Sequence, residues 1–240
     1  MSEKFQRLDQ RYFDARKELS KRVGARELWS LIDQWPLYCG IANLGRYLAI
    51  SDILRQTLDV PGDVVEFGSW RGANLMLLAK LLRIFDPHGC KRVHCFDSFK
   101  GLTEFAPEDG QATQFTGLYK GALDELKAVI ELYELQDEIE IHQGVIESSL
   151  RPFVEAQKEA SFSFIYCDTD LYKSTKLILE LLHPRLSKHG VFVFDEWNYK
   201  DYPGETVAAK EFLETYGDKY EVMHVRHARQ PTMYLRKLSY

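Results

Sequence analysis

The sequence predicts an α/β fold in which a seven-stranded, mostly parallel sheet ends in an antiparallel strand and follows an N-terminal helical extension. From residue 63 onward, apolar runs of strand length alternate with helix-patterned stretches. Several of these runs stop at acidic residues, and two further strand patterns follow each other near the C-terminus. We therefore expect residues 1–60 to form a helical extension or lid and residues 61–240 to form the main domain.

Length and charge narrow the class of protein. A chain of 240 residues can bury one large core without disulfides or metal staples. The formal net charge of -5, with no dense Lys/Arg stripe, argues against nucleic acid as a partner. No signal peptide or membrane-spanning run is recognisable, so we expect a cytoplasmic enzyme with no membrane insertion. Four cysteines without CxxC spacing are expected to be reduced core thiols: Cys39, Cys90, Cys95 and Cys167.

The first 60 residues have helical periodicity. Apolar positions recur at helical spacing over residues 1–35, and a second helix is predicted over about 43–58, ended by a Pro-Gly turn. This extension could be a lid or the contact surface of a homo-oligomer, with plain packing on the core as the alternative. Three residues are candidates for the lid: Tyr38, Arg46 and Tyr47.

A glycine-rich turn follows the first predicted strand, Asp63–Phe67. The turn runs from Gly68 to Gly72 and leads into a helix over about 73–85. Glycines at a strand-to-helix turn let the backbone approach a ligand at the helix N-terminus. The spacing is GxxxG rather than GxGxxG, which weakens a dinucleotide-binding interpretation.

The second predicted strand, residues 92–96, stops at Asp97 and is followed by Ser98. An acidic residue in this position can accept hydrogen bonds from both hydroxyls of a nucleoside ribose. We therefore interpret Asp97 as a cofactor residue, with a turn or helix-cap aspartate as the alternative.

The middle of the chain contributes a predicted loop and a third strand. Residues 103–117 are polar enough to predict a mobile surface loop that closes over substrate. A helix over 118–135 and a strand over 138–143 come next, ending at Gly144. Ile146 and Glu147 then lie at the sheet edge and are expected to line the cofactor base. Glu147 could instead cap the following helix, which is predicted to reach about residue 158.

Two later strands end at carboxylates and are joined by a helix predicted to close near Ser187. The carboxyl ends of parallel strands meet at one sheet edge, so Asp168, Asp195 and Glu196 should converge. Three oxygen ligands without a nearby histidine or thiol favour a hard cation such as Mg²⁺. The alternative is that such acids cap helices or pair with Lys/Arg, and capping is the role we predict for Asp170.

A polar-aromatic segment, residues 197–205, follows the last of these strands. Trp197 and Tyr199 are expected to form a substrate wall, with core packing as the alternative. A helix over about 205–215 and two strands, over about 220–225 and 232–237, complete the predicted sheet.

These blocks together resemble the macrocin O-methyltransferase family, the TylF/MycF-like enzymes. The resemblance spans roughly residues 61–216, and its blocks are Glu66 to Gly72, Phe96 to Leu102, Asp168 to Tyr172 with Ser174 and Thr175, and Pro184 to Leu186. It implies a Rossmann-like class I methyltransferase fold. It also implies that S-adenosylmethionine and Mg²⁺ are used to methylate a hydroxyl, commonly on a sugar of a glycosylated natural product.

Carried over by position, the resemblance implies a cofactor turn from Glu66 to Gly72, a ribose acceptor at Asp97 and a metal set of Asp168, Asp195 and Glu196. With the sheet-edge positions added, the candidate cofactor-binding residues are Glu66, Gly68, Ser69, Trp70, Arg71, Gly72, Asp97, Ser98, Gly144, Ile146 and Asp168. The chain departs from the family at Ala73, where a glycine is usual, and at Asp195–Glu196–Trp197, where Asp-Asp-Tyr is usual. The longer arm of Glu196 is expected to move its carboxylate outward.

The expected mechanism is in-line methyl transfer to a hydroxyl held on Mg²⁺. Asp168 is the candidate catalytic base, with His142, Asp170 or water as other proton routes. The acceptor could be a natural-product glycoside, a sugar nucleotide or a polysaccharide sugar. Three rival functions remain: a metal-dependent catechol or phenol O-methyltransferase, a nicotinamide oxidoreductase, and a noncatalytic cofactor-binding scaffold.

Overall fold

A computed structural model describes residue 21 and residues 27–239 of the chain. The helical pattern predicted over residues 1–35 therefore falls largely outside the described residues. The α-helices are α1 (Leu28–Asp33), α2 (Trp35–Tyr38), α3 (Ile41–Arg55), α4 (Ala73–Phe85), α5 (Leu123–Leu132), α6 (Ile146–Ala156), α7 (Tyr172–Leu182) and α8 (Pro203–Tyr216). The strands are β1 (Asp63–Phe67), β2 (Val93–Asp97), β3 (Ile139–Gln143), β4 (Phe162–Cys167), β5 (Leu186–Phe194), β6 (Tyr220–His224) and β7 (Met233–Lys237).

The seven strands form one sheet in the order β3-β2-β1-β4-β5-β7-β6. Strands β1 to β5 pair in parallel, and β7 runs antiparallel between β5 and β6. The predicted fold class is thereby confirmed. The strand order reverses between β1 and β4, and ligands of open α/β sheets bind in the crevice at such a switch point.

The core lies in two apolar layers, one on each face of the sheet. Val64, Cys95 and Phe164 belong to the layer that includes α3, α4 and α5, whereas Phe67 and Phe192 belong to the layer under α6, α7 and α8. Strands covered on both faces read as nearly continuous apolar runs, which explains why the central strands were recognisable in the sequence.

Three segments differ from their predicted structure. The helix predicted over 118–135 spans only Leu123–Leu132. The helix predicted to close near Ser187 ends at Leu182, and a 3-10 turn over His183–Arg185 leads into β5. Pro184 lacks the N–H that a continuing helix would need. The loop predicted over residues 103–117 contains a kinked 3-10 helix, Pro107–Phe115. Its Asp109 is fully buried and accepts hydrogen bonds from the N–H groups of Ala106 and Tyr172, so this segment is packed rather than free.

Helix α3 packs on the main domain rather than apart from it. Ile50 and Leu54 are fully buried in the core. Gly45 lies against the β6–β7 connection, where an added Cβ would come within 2.9 Å of the carbonyl oxygen of His227. This close approach fixes the helix above the strand ends and brings Arg46 to the cavity described below.

The cysteine prediction is partly wrong. Cys95 and Cys167 are buried in the core, Cys39 is half-buried and Cys90 is exposed, all as free thiols. Among the described residues, no helix combines the length and the apolar character needed to cross a membrane.

Candidate functional site

A cavity of about 410 Å³ opens at the carboxyl ends of β1, β2, β4 and β5. This volume lies within the range of small-molecule sites, roughly 300–1,000 Å³. Predicted site residues in its wall are Gly68, Ser69, Trp70, Asp97, Ser98, Ile146, Asp168, Asp195 and Glu196. Further wall residues include Arg46, Tyr47, Ala73, Tyr119, Glu147, Asp170, Tyr199, Tyr202, Arg229 and Gln230.

The turn after β1 is shaped by close backbone contact. Gly68 has a φ of +83°, and a Cβ there would come within 1.8 Å of the carbonyl oxygen of Asp168. Only glycine lets β1 and β4 approach this closely at their ends. Trp70 follows with a left-handed φ of 49°, and its N–H donates a hydrogen bond of 2.7 Å to Oδ2 of Asp97.

Asp97 fits both of its predicted roles. Its other oxygen accepts a 2.5 Å hydrogen bond from the N–H of Phe99, so it organises two turns. It also lies in the cavity wall, and burial raises the pKa of its carboxyl. A carboxylate oxygen has more than one acceptor position, so ribose hydroxyls can bind beside these N–H groups. Ribose binding stays a prediction.

Glu66 stands behind the cavity wall. It is fully buried, accepts a 2.5 Å hydrogen bond from the Ser69 hydroxyl, and leaves its Oε1 without a partner. Burial raises the pKa of Glu66 to about 8. Glu66 is therefore placed to position Ser69 rather than to touch a ligand in the cavity.

Besides Glu66, three further predicted cofactor residues are not brought into the cavity wall: Arg71, Gly72 and Gly144. Arg71 is exposed and pairs with Glu125 on α5 at 3.2 Å. A Cβ on Gly72 would lie 2.4 Å from a methyl carbon of Leu126, so this glycine serves the packing of α5.

Glu147 was assigned two alternative roles, and its contacts match the one at the cavity wall. Helix α6 begins with Val145 as its cap and has no side-chain cap hydrogen bond. The Ser174 hydroxyl donates to Oε1 of Glu147 at 2.8 Å, and Oε2 is buried without a partner.

The three predicted metal carboxylates do converge. Asp168, Asp195 and Glu196 each offer an oxygen, and the three atoms lie within 4.8 Å of one another. The Tyr166 hydroxyl donates to Asp195 at 2.5 Å, and the Gln230 amide donates to Oε1 of Glu196 at 2.7 Å. Oε2 of Glu196 is buried without a partner. The longer glutamate arm therefore leaves this carboxylate inside the cluster, contrary to the expected outward shift.

Arg46 joins two of these carboxylates and was predicted only as a lid residue. Its guanidinium donates to Asp168 at 2.8 Å and to Asp195 at 2.7 Å. The partners are 122 and 149 residues away along the chain. No local motif marks such a contact, because the packing of α3 creates it.

The β4–β5 side of the cavity, which we call the acceptor side, carries more negative than positive charge. Arg46 and Arg229 are the basic residues of the described wall, which also contains Asp168 and Asp170. Burial, followed by the charge of Asp195, raises the pKa of Asp168 to about 7. The same two causes raise the pKa of Glu196, and that of Glu205 behind it, well above the usual range. Such a cluster must hold protons or bind a cation.

Three predictions for this side are wrong. Asp170 does not cap α7: Leu171 occupies the cap position, and Asp170 is a buried wall residue with a φ of 61°. His142 lies away from the cavity, stacked on Phe96 at 4.2 Å, so it offers no proton route. Trp197 packs on the core layer under α8 instead of forming the substrate wall.

Tyr199 does line the cavity, as predicted, and two further tyrosines join it. Tyr199 stacks on Tyr202 with ring centroids 5.9 Å apart, and the Tyr202 hydroxyl donates to that of Tyr119 at 3.1 Å. Tyr202 lay in the predicted polar-aromatic segment. Tyr119 was missed, because it was assigned to a helix predicted over 118–135, whereas that helix begins at Leu123. Stacked, hydroxyl-bearing rings suit a hydroxylated, partly apolar acceptor.

Comparison with known proteins identifies the family to which these features correspond. The model of the family described as macrocin-O-methyltransferase (TylF) matches residues 39–230, most of the chain. A tetracenomycin-C 4'-O-methyltransferase from Streptomyces olivaceus, whose name specifies a dimethoxy-rhamnosyl substrate, is 31% identical over 147 residues. The demethyldecarbamoylnovobiocin O-methyltransferase of Streptomyces niveus is 31% identical over 151 residues. Each alignment covers 58% of this chain and 54% of the relative, so the chain spans about half the length of these curated relatives.

Solved structures share the fold. The calicheamicin methyltransferase CalS11 superposes with a TM-score of 0.81 at 24% identity, covering 98% of this chain and 93% of CalS11. The O-methyltransferase NovP gives a TM-score of 0.67 at 22% identity, covering 81% of this chain and 80% of NovP. At these identities the superpositions establish a class I methyltransferase fold and nothing finer.

Proposed function

This chain belongs to the macrocin-O-methyltransferase family, and we propose that it transfers the methyl group of S-adenosylmethionine to a hydroxyl of a sugar-containing acceptor with the help of Mg²⁺. One observation carries the proposal. The glycine turn with Asp97 and the carboxylate cluster at Asp168 open into the same cavity, so a methyl donor and an acceptor can meet there.

The cavity fits S-adenosylmethionine on the β1–β2 side. Asp97 offers acceptor positions for ribose hydroxyls, and we assign Ser98 and Ile146, which also line the cavity, to the base. When bound, S-adenosylmethionine supplies an electrophilic methyl group on a sulfonium. Asp168 follows the end of β4, which lies between β1 and β5 in the sheet, so it stands between the cofactor side and the acceptor side.

The carboxylate cluster fits a divalent cation. Asp168, Asp195 and Glu196 supply oxygen ligands close together, and the partnerless Oε2 of Glu196 offers an unused one. Mg²⁺ held there would supply positive charge against the negative charge that develops on the acceptor oxygen. Arg46 already contacts two of these residues, so cation and guanidinium would have to share or exchange them.

Asp168 is the group that we assign to accept the hydroxyl proton. Asp168 lies in the wall of the cavity into which the glycine turn and the carboxylate cluster both open. Asp170, in the same wall, is a second proton acceptor whose pKa is raised by burial and by Asp168. Tyr166 and Arg46 hold the Asp195 side chain in place through hydrogen bonds.

The acceptor side favours a sugar over a flat phenol. Tyr119, Tyr199 and Tyr202 present hydroxyls as well as ring faces, and Arg229 and Gln230 add polar wall. Because one relative is named for a rhamnosyl substrate, a rhamnosyl glycoside and a nucleotide-linked rhamnose are the first acceptors to test. We also propose residues 61–240 as the methyltransferase domain and α3, which precedes it in the chain, as a functional part of the site, because the family match begins at residue 39.

The first experiment is calorimetric titration of the full chain with S-adenosylmethionine and, separately, with NADH. Binding of S-adenosylmethionine that is weakened by Asp97→Ala supports the proposal. Binding of NADH alone would make the protein an oxidoreductase, and binding of neither would favour a scaffold. Asp218→Asn, an exposed change outside the cavity, is the matched control.

The second experiment measures methyl transfer to rhamnosyl acceptors and to catechol, with Mg²⁺ and with EDTA. Sugar methylation that EDTA abolishes and Mg²⁺ restores supports the whole proposal. Methylation of catechol but of no sugar would replace the acceptor class. Full activity in EDTA would remove the metal from the mechanism.

A further inference from the structure

A second group of metal-ligating side chains lies on the edge strands, outside the cavity. His94 on β2 and Glu140 and His142 on β3 each offer one ligand atom, and the three atoms lie within 4.8 Å of one another. The register pairs His94 with Glu140 directly, and His142 follows two residues later. Since side chains alternate between sheet faces, all three point to the face covered by α6.

The spacing of the ligand atoms suits a tetrahedral ion. Nδ1 of His94 and Nε2 of His142 are 3.1 Å apart, and Glu140 oxygens lie 3.8 and 3.7 Å from these two atoms. A tetrahedral ion with bonds of about 2.1 Å separates its ligand atoms by about 3.4 Å. Small side-chain shifts would therefore close the site around an ion.

Asp63 prepares His94 as a ligand. Its Oδ2 lies 3.4 Å from Nε2 of His94, so the proton on that nitrogen faces a carboxylate and the lone pair of Nδ1 faces His142. A carboxylate behind a histidine is the usual support of a metal-bound imidazole. Burial raises the pKa of Asp63, but hydrogen bonds from His94 and the Arg92 N–H outweigh it and lower the pKa overall.

The surroundings give the site one apolar wall and one open side. His142 stacks on Phe96, and Phe153 packs edge-on against both imidazoles at 5.3 and 4.9 Å. Burial and the neighbouring His94 lower the pKa of His142, and the neutral imidazole is the form that binds a metal. The Glu140 side chain is 45% exposed, which leaves a path for an ion from solvent.

We propose that His94, Glu140 and His142 bind a divalent transition metal, and that the ion links the edge strand β3 to β2. Zn²⁺ is the probe for this site. Two imidazoles and one carboxylate suit Zn²⁺ or Co²⁺ rather than Mg²⁺, so this site and the carboxylate cluster differ in the ion they select. On binding, His142 keeps a single proton, which moves from Nε2 to Nδ1 through solvent. Asp63 is a positioning residue here, not a ligand.

The test is calorimetric titration of tag-free full-length protein with Zn²⁺, together with the absorption spectrum of the Co²⁺ complex. Wild type should bind one Zn²⁺ that survives Glu196→Gln, which removes a ligand of the other cluster. Glu140→Gln should weaken this binding at least about tenfold, and Asp63→Asn about tenfold at unchanged stoichiometry. The exposed side chain of Glu140 makes its substitution safe for folding, whereas His142→Gln needs a check by circular dichroism.

A structural readout accompanies the titration. Nitrogen-detected NMR of the histidine side chains should show the His142 proton on Nδ1 after Zn²⁺ addition, and no such change with Mg²⁺. Zn²⁺ should also raise the unfolding temperature of wild type but not of Glu140→Gln. Absence of Zn²⁺ binding, or binding that Glu140→Gln leaves unchanged, overturns the proposal.

Discussion

The two sides of the cavity treat their carboxylates in opposite ways. On the β1–β2 side, Asp97 and Glu66 receive hydrogen bonds from groups within a few residues of the turns they organise. On the β4–β5 side, Asp168, Asp195 and Glu196 depend on groups from distant parts of the chain. Both sides leave a buried carboxylate oxygen without a partner, Oε1 of Glu66 on the first and Oε2 of Glu196 on the second. The second side has an excess of negative charge that a cation would balance.

The largest expected effect tests the acceptor side. Asp168→Asn removes the proposed proton acceptor and one proposed metal ligand together, so kcat/KM should fall about 1,000-fold or more. S-adenosylmethionine affinity should change far less, since the nucleoside contacts lie on the other side. Methyl-transfer kinetics and calorimetry measure the two quantities, with Asp218→Asn as control. An equal loss of kcat/KM and of S-adenosylmethionine affinity would show that the two sides do not act separately.

The next effect tests the cofactor side. Asp97→Ala should weaken S-adenosylmethionine binding about 100-fold, because two hydrogen bonds to a charged group are lost at about 1.5–3 kcal/mol each. Asp97→Asn, which keeps one acceptor oxygen, should fall between this variant and wild type. Thermal unfolding of both variants checks the turns that Asp97 holds. Unchanged affinity in a folded Asp97→Ala protein would leave Asp97 as a turn residue only.

Competition between Arg46 and Mg²⁺ is a third test. Arg46→Met removes the cation that already contacts Asp168 and Asp195, so Mg²⁺ should bind about tenfold more tightly, about 1.4 kcal/mol. Arg55→Met, an exposed change on the same helix, is the matched control. Calorimetric titration with Mg²⁺ gives both affinities. Weaker Mg²⁺ binding in Arg46→Met would show that the arginine assembles the metal site.

The smallest effect concerns pH and Glu66. Burial raises the pKa of Glu66 from 4.5 to about 8. Between pH 4.5 and pH 8, therefore, Glu66 is protonated in the folded protein but ionised in the unfolded chain. The contribution of Glu66 to stability is therefore full below about pH 4.5 and is lost as the pH rises towards 8. Glu66→Gln should flatten the fall in unfolding free energy by up to about 1.4 kcal/mol per pH unit.

Denaturant unfolding at several pH values between 5 and 8 measures this slope. Glu180→Gln, an exposed change on α7, should keep the wild-type slope. If unfolding free energy falls with pH as steeply in Glu66→Gln as in wild type, Glu66 is already ionised in the folded protein. The β1–β2 side would then carry a buried negative charge, as the other side does.

Much of the site could be predicted because the position and the end of each strand are local properties of the sequence. The apolar runs of β1, β4 and β5 mark the sheet, and the parallel rule brings Asp97, Asp168 and Asp195 to one edge. The alternation of β2 and β3 could also have marked His94 and His142 as neighbours on one face. The proposed metal site there was not predicted, because pairing of these two strands in register is a tertiary fact.

The sequence by itself determined the α/β class, the glycine turn and the convergence of the strand-end carboxylates, because periodicity and chain direction are properties of neighbouring residues. Only the tertiary structure decided that Arg46 reaches Asp168 and Asp195, that Trp197 packs in the core, and that Tyr119 and Tyr202 share a wall. These contacts join residues far apart in the chain. Their partners are selected by how helices and loops pack on the finished sheet, and no spacing within one segment encodes that choice.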